Sequence, residues 1–150
     1  MATGMTEEQI TKAIIAWLES RGWEIICYDF PQSGMGVYLH PNNVTSKNLK
    51  AIVPDIVAFR DGIVVYFENK DHFDIGDFLK VDTLRKTQAY GNAFSRLLGE
   101  RVYSKIYYGI GLPLTSRIKQ RAIQSISLTD FVVLVGDDVF EVMGDFKEVL

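Results

Sequence analysis

One cysteine, Cys27, in 150 residues excludes a disulfide within the chain. It sits in an apolar run, where a lone thiol acts as a small core side chain. Two histidines, His40 and His72, are too few for a histidine-rich zinc site or a serine–histidine relay. No run of eighteen apolar residues occurs, so no membrane span is expected. The opening Met1–Met5 has neither the basic nor the apolar region of a secretory signal. These absences lead to the expectation of a soluble, cytoplasmic chain with no membrane partner. Internal repeats, low-complexity tracts and linkers are missing too. With 47% hydrophobic residues, the length suits one domain over residues 1–150 with a substantial core.

The formal charge is -3, which by itself argues against a polyanionic partner. Its distribution argues the other way. Residues 1–79 hold six Lys/Arg and eleven Asp/Glu, residues 80–121 nine and two, and residues 122–150 one and six, giving -5, +7 and -5. The basic middle segment makes Lys86, Arg117, Lys119 and Arg121 candidates for contact with nucleic-acid phosphates.

Thr6-Glu-Glu-Gln9 fits a capping box opening an amphipathic helix with Ile10, Ala13, Ile14, Trp17 and Leu18 on one side, running to about Arg21. By helical phase Glu7 falls near the apolar face and Glu8 points away. Gly22 ends the helix, and residues 23–30 read as a strand apolar enough to be central. Residues 31–50 form a long connection in which Gln32, Ser33, Asn42, Lys47 and Lys50 are available to a substrate. A helix is expected over 77–98, carrying Gln88, then a strand over 101–112 and a short basic helix over 116–124. Residues 131–135 and 139–142 close the chain as a hairpin. The order is α-β-β-β-α-β-α-β-β, an α/β sheet flanked by helices.

Between the first strand and the long helix lies the stretch with chemistry in it. Two β-branched runs flank Asp61-Gly62, a strong signal for a two-residue hairpin turn. In that register Arg60 pairs with Ile63 and Asp55 stands opposite Glu68, with Lys70 on the same face. Facing carboxylates are destabilising unless a charge cancels them. A bound cation does so, and two carboxylates, a backbone carbonyl and waters suit Mg²⁺, with Mn²⁺ as a substitute. Such a site would clamp a phosphodiester, with Lys70 positioning the attacking water or neutralising developing charge.

Pro54-Asp55, a twelve-residue spacer and Glu68-Asn69-Lys70 resemble the PD-(D/E)XK nuclease superfamily of restriction endonucleases and archaeal Holliday junction resolvases. The resemblance implies a restriction-endonuclease-like fold and a Mg²⁺-dependent endonuclease acting on DNA, in restriction or in junction resolution. It implies metal binding by Asp55, Glu68 and the Asn69 carbonyl, and catalysis by these carboxylates with Lys70. It further implies a supporting glutamate on the first helix, which phase assigns to Glu7 ahead of Glu8, and assistance from Gln88. Cutting two strands calls for two sites, hence a homodimer. A catalytically silent nucleic-acid-binding subunit with the same fold is the alternative.

Overall fold

Both halves of the capping box form. Thr6 Oγ1 accepts from the Gln9 N–H at 3.1 Å, and Gln9 Oε1 accepts from the Thr6 N–H at 2.9 Å. They open α1 (Glu7–Ser20), the first element of a computed structural model that describes residues 4–42 and 50–150. There follow β1 (Glu24–Tyr28), β2 (Ile56–Arg60), β3 (Ile63–Asn69), α2 (Ile75–Thr87), α3 (Gly91–Leu98) and β4 (Lys105–Pro113). Then come α4 (Ser116–Ser125), β5 (Phe131–Val135) and β6 (Phe140–Met143). No helix among the described residues is long and apolar enough to cross a membrane.

The protein is α/β, with six strands in one mixed sheet of order β1-β2-β3-β4-β5-β6. The first three strands form an antiparallel meander, β4 and β5 run parallel to β3, and β6 returns antiparallel. Parallel neighbours need long crossovers, which α2 with α3, and then α4, provide. Buried side chains divide between the two faces. Phe78, Val81, Phe94 and Ala122 of the crossover helices pack on Val57, Tyr66, Ile110 and Val132. Ile10, Ile14 and Leu18 of α1 pack on Ile56, Val65, Phe67 and Val133 across the sheet.

Three expectations require correction. The first strand is an edge strand, not a central one: it pairs with β2 alone, and a register shift between Ile25 and Cys27 bends it. Its apolar residues serve packing against α1 and the long connection instead of burial between two strands. The helix expected over 77–98 is two helices. Gln88 takes a left-handed conformation, φ 50°, and its N–H caps α2 at the Leu84 carbonyl. Asn42, distant in sequence, holds the break open by donating to the Ala89 carbonyl at 2.7 Å and accepting from the Asn92 N–H at 2.8 Å. Finally, β4 starts at Lys105, four residues after the expected position.

Crowding on the α1 face of the sheet dictates two glycines in β4, Gly109 and Gly111. A Cβ on Gly109 would overlap the ring of Phe131, which itself packs edge-on against Phe67 at 5.0 Å between centroids. Gly109→Ala should therefore lower stability by about 1–3 kcal/mol through overpacking, measured by urea unfolding. An unchanged midpoint would mean that the Phe131 ring yields freely.

Candidate active site

The Asp61-Gly62 turn has positive φ at both residues, 50° and 81°, as a type I′ turn requires, and it fixes the register Arg60 to Ile63 through Ile56 to Phe67. The next residues outward are Asp55 and Glu68. Asp55 remains tied to both neighbouring strands, its N–H donating to the Phe67 carbonyl at 3.2 Å and its carbonyl accepting from the Asp29 N–H at 2.9 Å. Strand alternation places Glu68 and Lys70 on the face of Tyr66, which belongs to the core under α2 and α3.

Asn69 points to the other face. Its Nδ2 donates to Thr11 Oγ1 at 3.1 Å, and both residues are buried. Glu7 lies one turn before Thr11 on α1, so this tether brings it to the end of the sheet, with Oε1 4.0 Å from Lys70 Nζ. Glu8 faces solvent and pairs with Lys12 at 2.8 Å. Of the two glutamates, Glu7 is thus the one at the site. Thr11→Val should cost about 1–3 kcal/mol by leaving the buried Asn69 amide without its acceptor. A melting curve like that of the parent would show that the tether contributes nothing.

Asp55 and Glu68 are not bare facing carboxylates. Asp55 Oδ2 accepts from the Asn69 N–H at 2.6 Å. Glu68 Oε2 accepts from the Tyr66 hydroxyl at 2.8 Å and lies 3.1 Å from Lys80 Nζ of α2. The first turn of α2 adds Asp74, its N-cap, and Asp77, whose Oδ2 is buried with no hydrogen-bond partner among the described residues. Five carboxylates therefore surround two ammonium groups.

Their titration reflects this crowding. Burial, and next the charge of Glu68, push Asp55 up to about 8, against the stabilising Asn69 N–H. Burial raises Asp77 to about 6, opposed chiefly by Lys70. Lys70 is held above its usual range by Asp77 first, with Glu7, Glu68 and Asp74 adding to the effect, so it stays an ammonium. Burial and the adjacent Glu68 raise Tyr66, keeping it a hydroxyl donor. By contrast, burial pushes the Cys27 thiol up to about 11, which suits an inert core residue.

Comparison with protein-family models, with curated proteins and with solved structures gives no match. The geometry of the site stands alone. Among the described residues, no three His, Cys, Asp or Glu side chains are placed to hold a metal ion together. Asp55 and Glu68 each keep one carboxylate oxygen outside the bonds above. That donor set, the acid excess and the unpartnered Asp77 oxygen fit a hard cation with few protein ligands and several waters.

The remaining candidates are elsewhere. Lys86 and Gln88 lie at the far end of α2, whose thirteen residues span about 20 Å. Lys86 pairs with Asp82 at 3.0 Å, and both Lys86 and Gln88 line a separate cleft of about 570 Å³ with Arg85, Asn92 and Lys105. Gln88 acts as a helix cap and does not join the carboxylates, contrary to expectation. On α4, Arg117 is exposed, Lys119 pairs with Glu141 at 2.6 Å, and the Arg121 guanidinium stacks 4.5 Å from the Phe73 ring centroid. Lys80, Arg85, Lys86, Arg101 and Lys119 all have carboxylate partners, so much of the basic segment is neutralised internally. In the long connection Ser33 bonds Asp29 and Asn42 braces α3, while Lys47 lies outside the described residues.

Sequence reasoning missed Tyr66, Asp74, Asp77 and Lys80. A signal for each exists: Tyr66 precedes Glu68 by one strand period, and 74, 77 and 80 recur at helical spacing.

Proposed function

We propose that the chain is a Mg²⁺-dependent endonuclease hydrolysing DNA phosphodiester bonds. The observation that carries this reading is the meeting of Asp55, Glu68 and Lys70 on one end of the sheet, with Glu7 arriving from the opposite layer. The order of a helix, an antiparallel three-strand meander, helices and a parallel fourth strand supports it. A restriction-endonuclease-like fold is what the resemblance of Pro54-Asp55 and Glu68-Asn69-Lys70 implies.

Asp55, Glu68 and the Asn69 carbonyl would hold the cation, which when bound supplies Lewis-acid polarisation of the phosphate and a more acidic water. The chain's own groups do the positioning. The Asn69 N–H fixes Asp55 Oδ2, and Tyr66 with Lys80 fixes Glu68 Oε2. Lys70, kept charged by Asp77 and Glu7, orients the attacking water and neutralises charge developing on the phosphate. Restriction of foreign DNA and junction resolution both use this chemistry, and a symmetric dimer would bring the second site that duplex cleavage needs.

The test is incubation with supercoiled plasmid, a four-way junction and single-stranded DNA, each with Mg²⁺, Mn²⁺ or EDTA. Cleavage of at least one substrate is expected with either metal and none with EDTA. Binding without cleavage on all three would instead assign a catalytically silent nucleic-acid-binding subunit.

A further inference from the structure

A groove of about 530 Å³ leads away from the candidate site between α2 and the segment Lys50–Val53. It begins at Lys80, the residue paired with Glu68, and runs past Thr83 and Thr87 to Tyr90. Lys80 to Thr87 is about 10 Å along the helix, the reach of a nucleotide or two. The far wall runs antiparallel to α2, because the Tyr90 hydroxyl donates to the Lys50 carbonyl while Val53 adjoins Pro54-Asp55. A lysine therefore stands at each end. Between them the floor is apolar, made by Ile52, Leu84 and Tyr90.

Lys50 is exposed, and Lys80, although paired with Glu68, keeps further N–H donors. With the apolar floor between them they fit a nucleic-acid strand whose phosphates meet the lysines while an unpaired base lies on the floor. A duplex keeps its base faces stacked inside and offers only phosphates and groove edges. It could touch the two lysines and leave the floor unused. The volume falls within the range of clefts that enclose small ligands, about 300–1,000 Å³. The alternative cleft at the other end of α2 has no such continuity with the carboxylates.

We infer that this groove takes an unpaired nucleotide adjoining the scissile phosphate, so that the substrate is single-stranded or branched DNA and not continuous duplex. That this phosphate is the scissile one rests on the endonuclease reading; the groove's preference for an unpaired strand is measurable without it.

The experiment measures fluorescence anisotropy of one labelled sequence as single strand, forked duplex and blunt duplex, with Ca²⁺ replacing Mg²⁺. The protein should bind the single strand and the fork at least about tenfold more tightly than the blunt duplex. Thr83→Leu together with Thr87→Leu, both from exposed helical positions in the groove lining, should narrow the groove with aliphatic bulk that offers no ring to stack on, and abolish that preference without weakening duplex binding; Thr87→Leu alone is the second variant, and melting curves report the fold of each. Equal affinity for the three DNAs, or a folded double leucine variant that keeps the parent's preference, would overturn the inference. Hydrolysis of bis(p-nitrophenyl) phosphate, a diester too small to need the groove, reports the carboxylate site separately. Its absence alongside a groove-dependent preference would remove the endonuclease reading and leave the groove assigned.

Discussion

Lys70→Met is expected to lower DNA cleavage by at least about a hundredfold, the loss that follows removal of one preorganised charge from a developing oxyanion. Asp55→Asn and Glu68→Gln should do the same, because each removes a carboxylate at the end of the β2–β3 hairpin. The three act as a unit, so a double variant should be little worse than either single one. Glu8→Gln is the control: its carboxylate pairs with Lys12 in solvent, and cleavage should be unchanged. Initial rates on whichever DNA is cut, with melting curves for each protein, decide the matter. Near-parental turnover in a folded Lys70→Met protein would remove Lys70 from the chemistry, and a comparable loss in Glu8→Gln would place the reacting groups on the outer side of α1. Glu7→Gln should have a smaller effect, since Glu7 reaches the reaction through Lys70 and Asp77 also holds that ammonium.

Stability should fall as pH rises from about 4 to about 8 in the absence of divalent metal, and Asp55→Asn should remove most of that fall. The folded protein holds the Asp55 proton up to about pH 8, whereas an ordinary aspartate releases it near 3.8. Between these values the native state binds more protons than the unfolded chain, so the slope of unfolding free energy against pH is negative. The stabilisation is complete below the unfolded value and lost through the folded one. Burial of Asp55 beside Glu68 sets the scale, on the order of 3 to 5 kcal/mol across the window. Asparagine carries no proton to lose and keeps an acceptor for the Asn69 N–H, so the variant should match the parent near pH 4 and exceed it near pH 8. Asp77 contributes in the same direction in both proteins and largely cancels. Urea unfolding at pH 4, 6 and 8 in EDTA measures the difference. A parent whose stability rises over this window, or a variant less stable at pH 8, would mean that the Asp55 carboxylate is a net stabilising acceptor in its charged form. Mg²⁺ at pH 8 should stabilise the parent far more than the variant, since a ligand that binds only the native state adds RT ln(1 + [L]/Kd).

What the chain determined by itself was local. Two residues with positive φ at Asp61-Gly62 impose one hairpin register as far as Ile56 and Phe67, and chain order then brings Asp55, Glu68 and Lys70 to the same end of the hairpin. The reciprocal bonds of Thr6 and Gln9 start α1 where the pattern says, and helical phase already separated Glu7 from Glu8. These features depend on partners within a turn or across a tight loop, so residue order suffices. Only the tertiary structure decided the rest. The break between α2 and α3 is held by Asn42, some fifty residues upstream, against a run of good helix formers. The edge position of β1 follows from which strands pair, which its apolar composition does not encode. The basic segment, conspicuous in the sequence, lost much of its charge to acids brought from elsewhere, among them Glu24, Glu68 and Glu141. Lys80 and Asp77 joined the hairpin carboxylates because α2 packs across β4 and the core residues Phe78, Val81 and Leu84 fix its rotation. A side chain's periodicity tells which way it points from its own element; what stands opposite it is settled by packing between elements far apart in the chain.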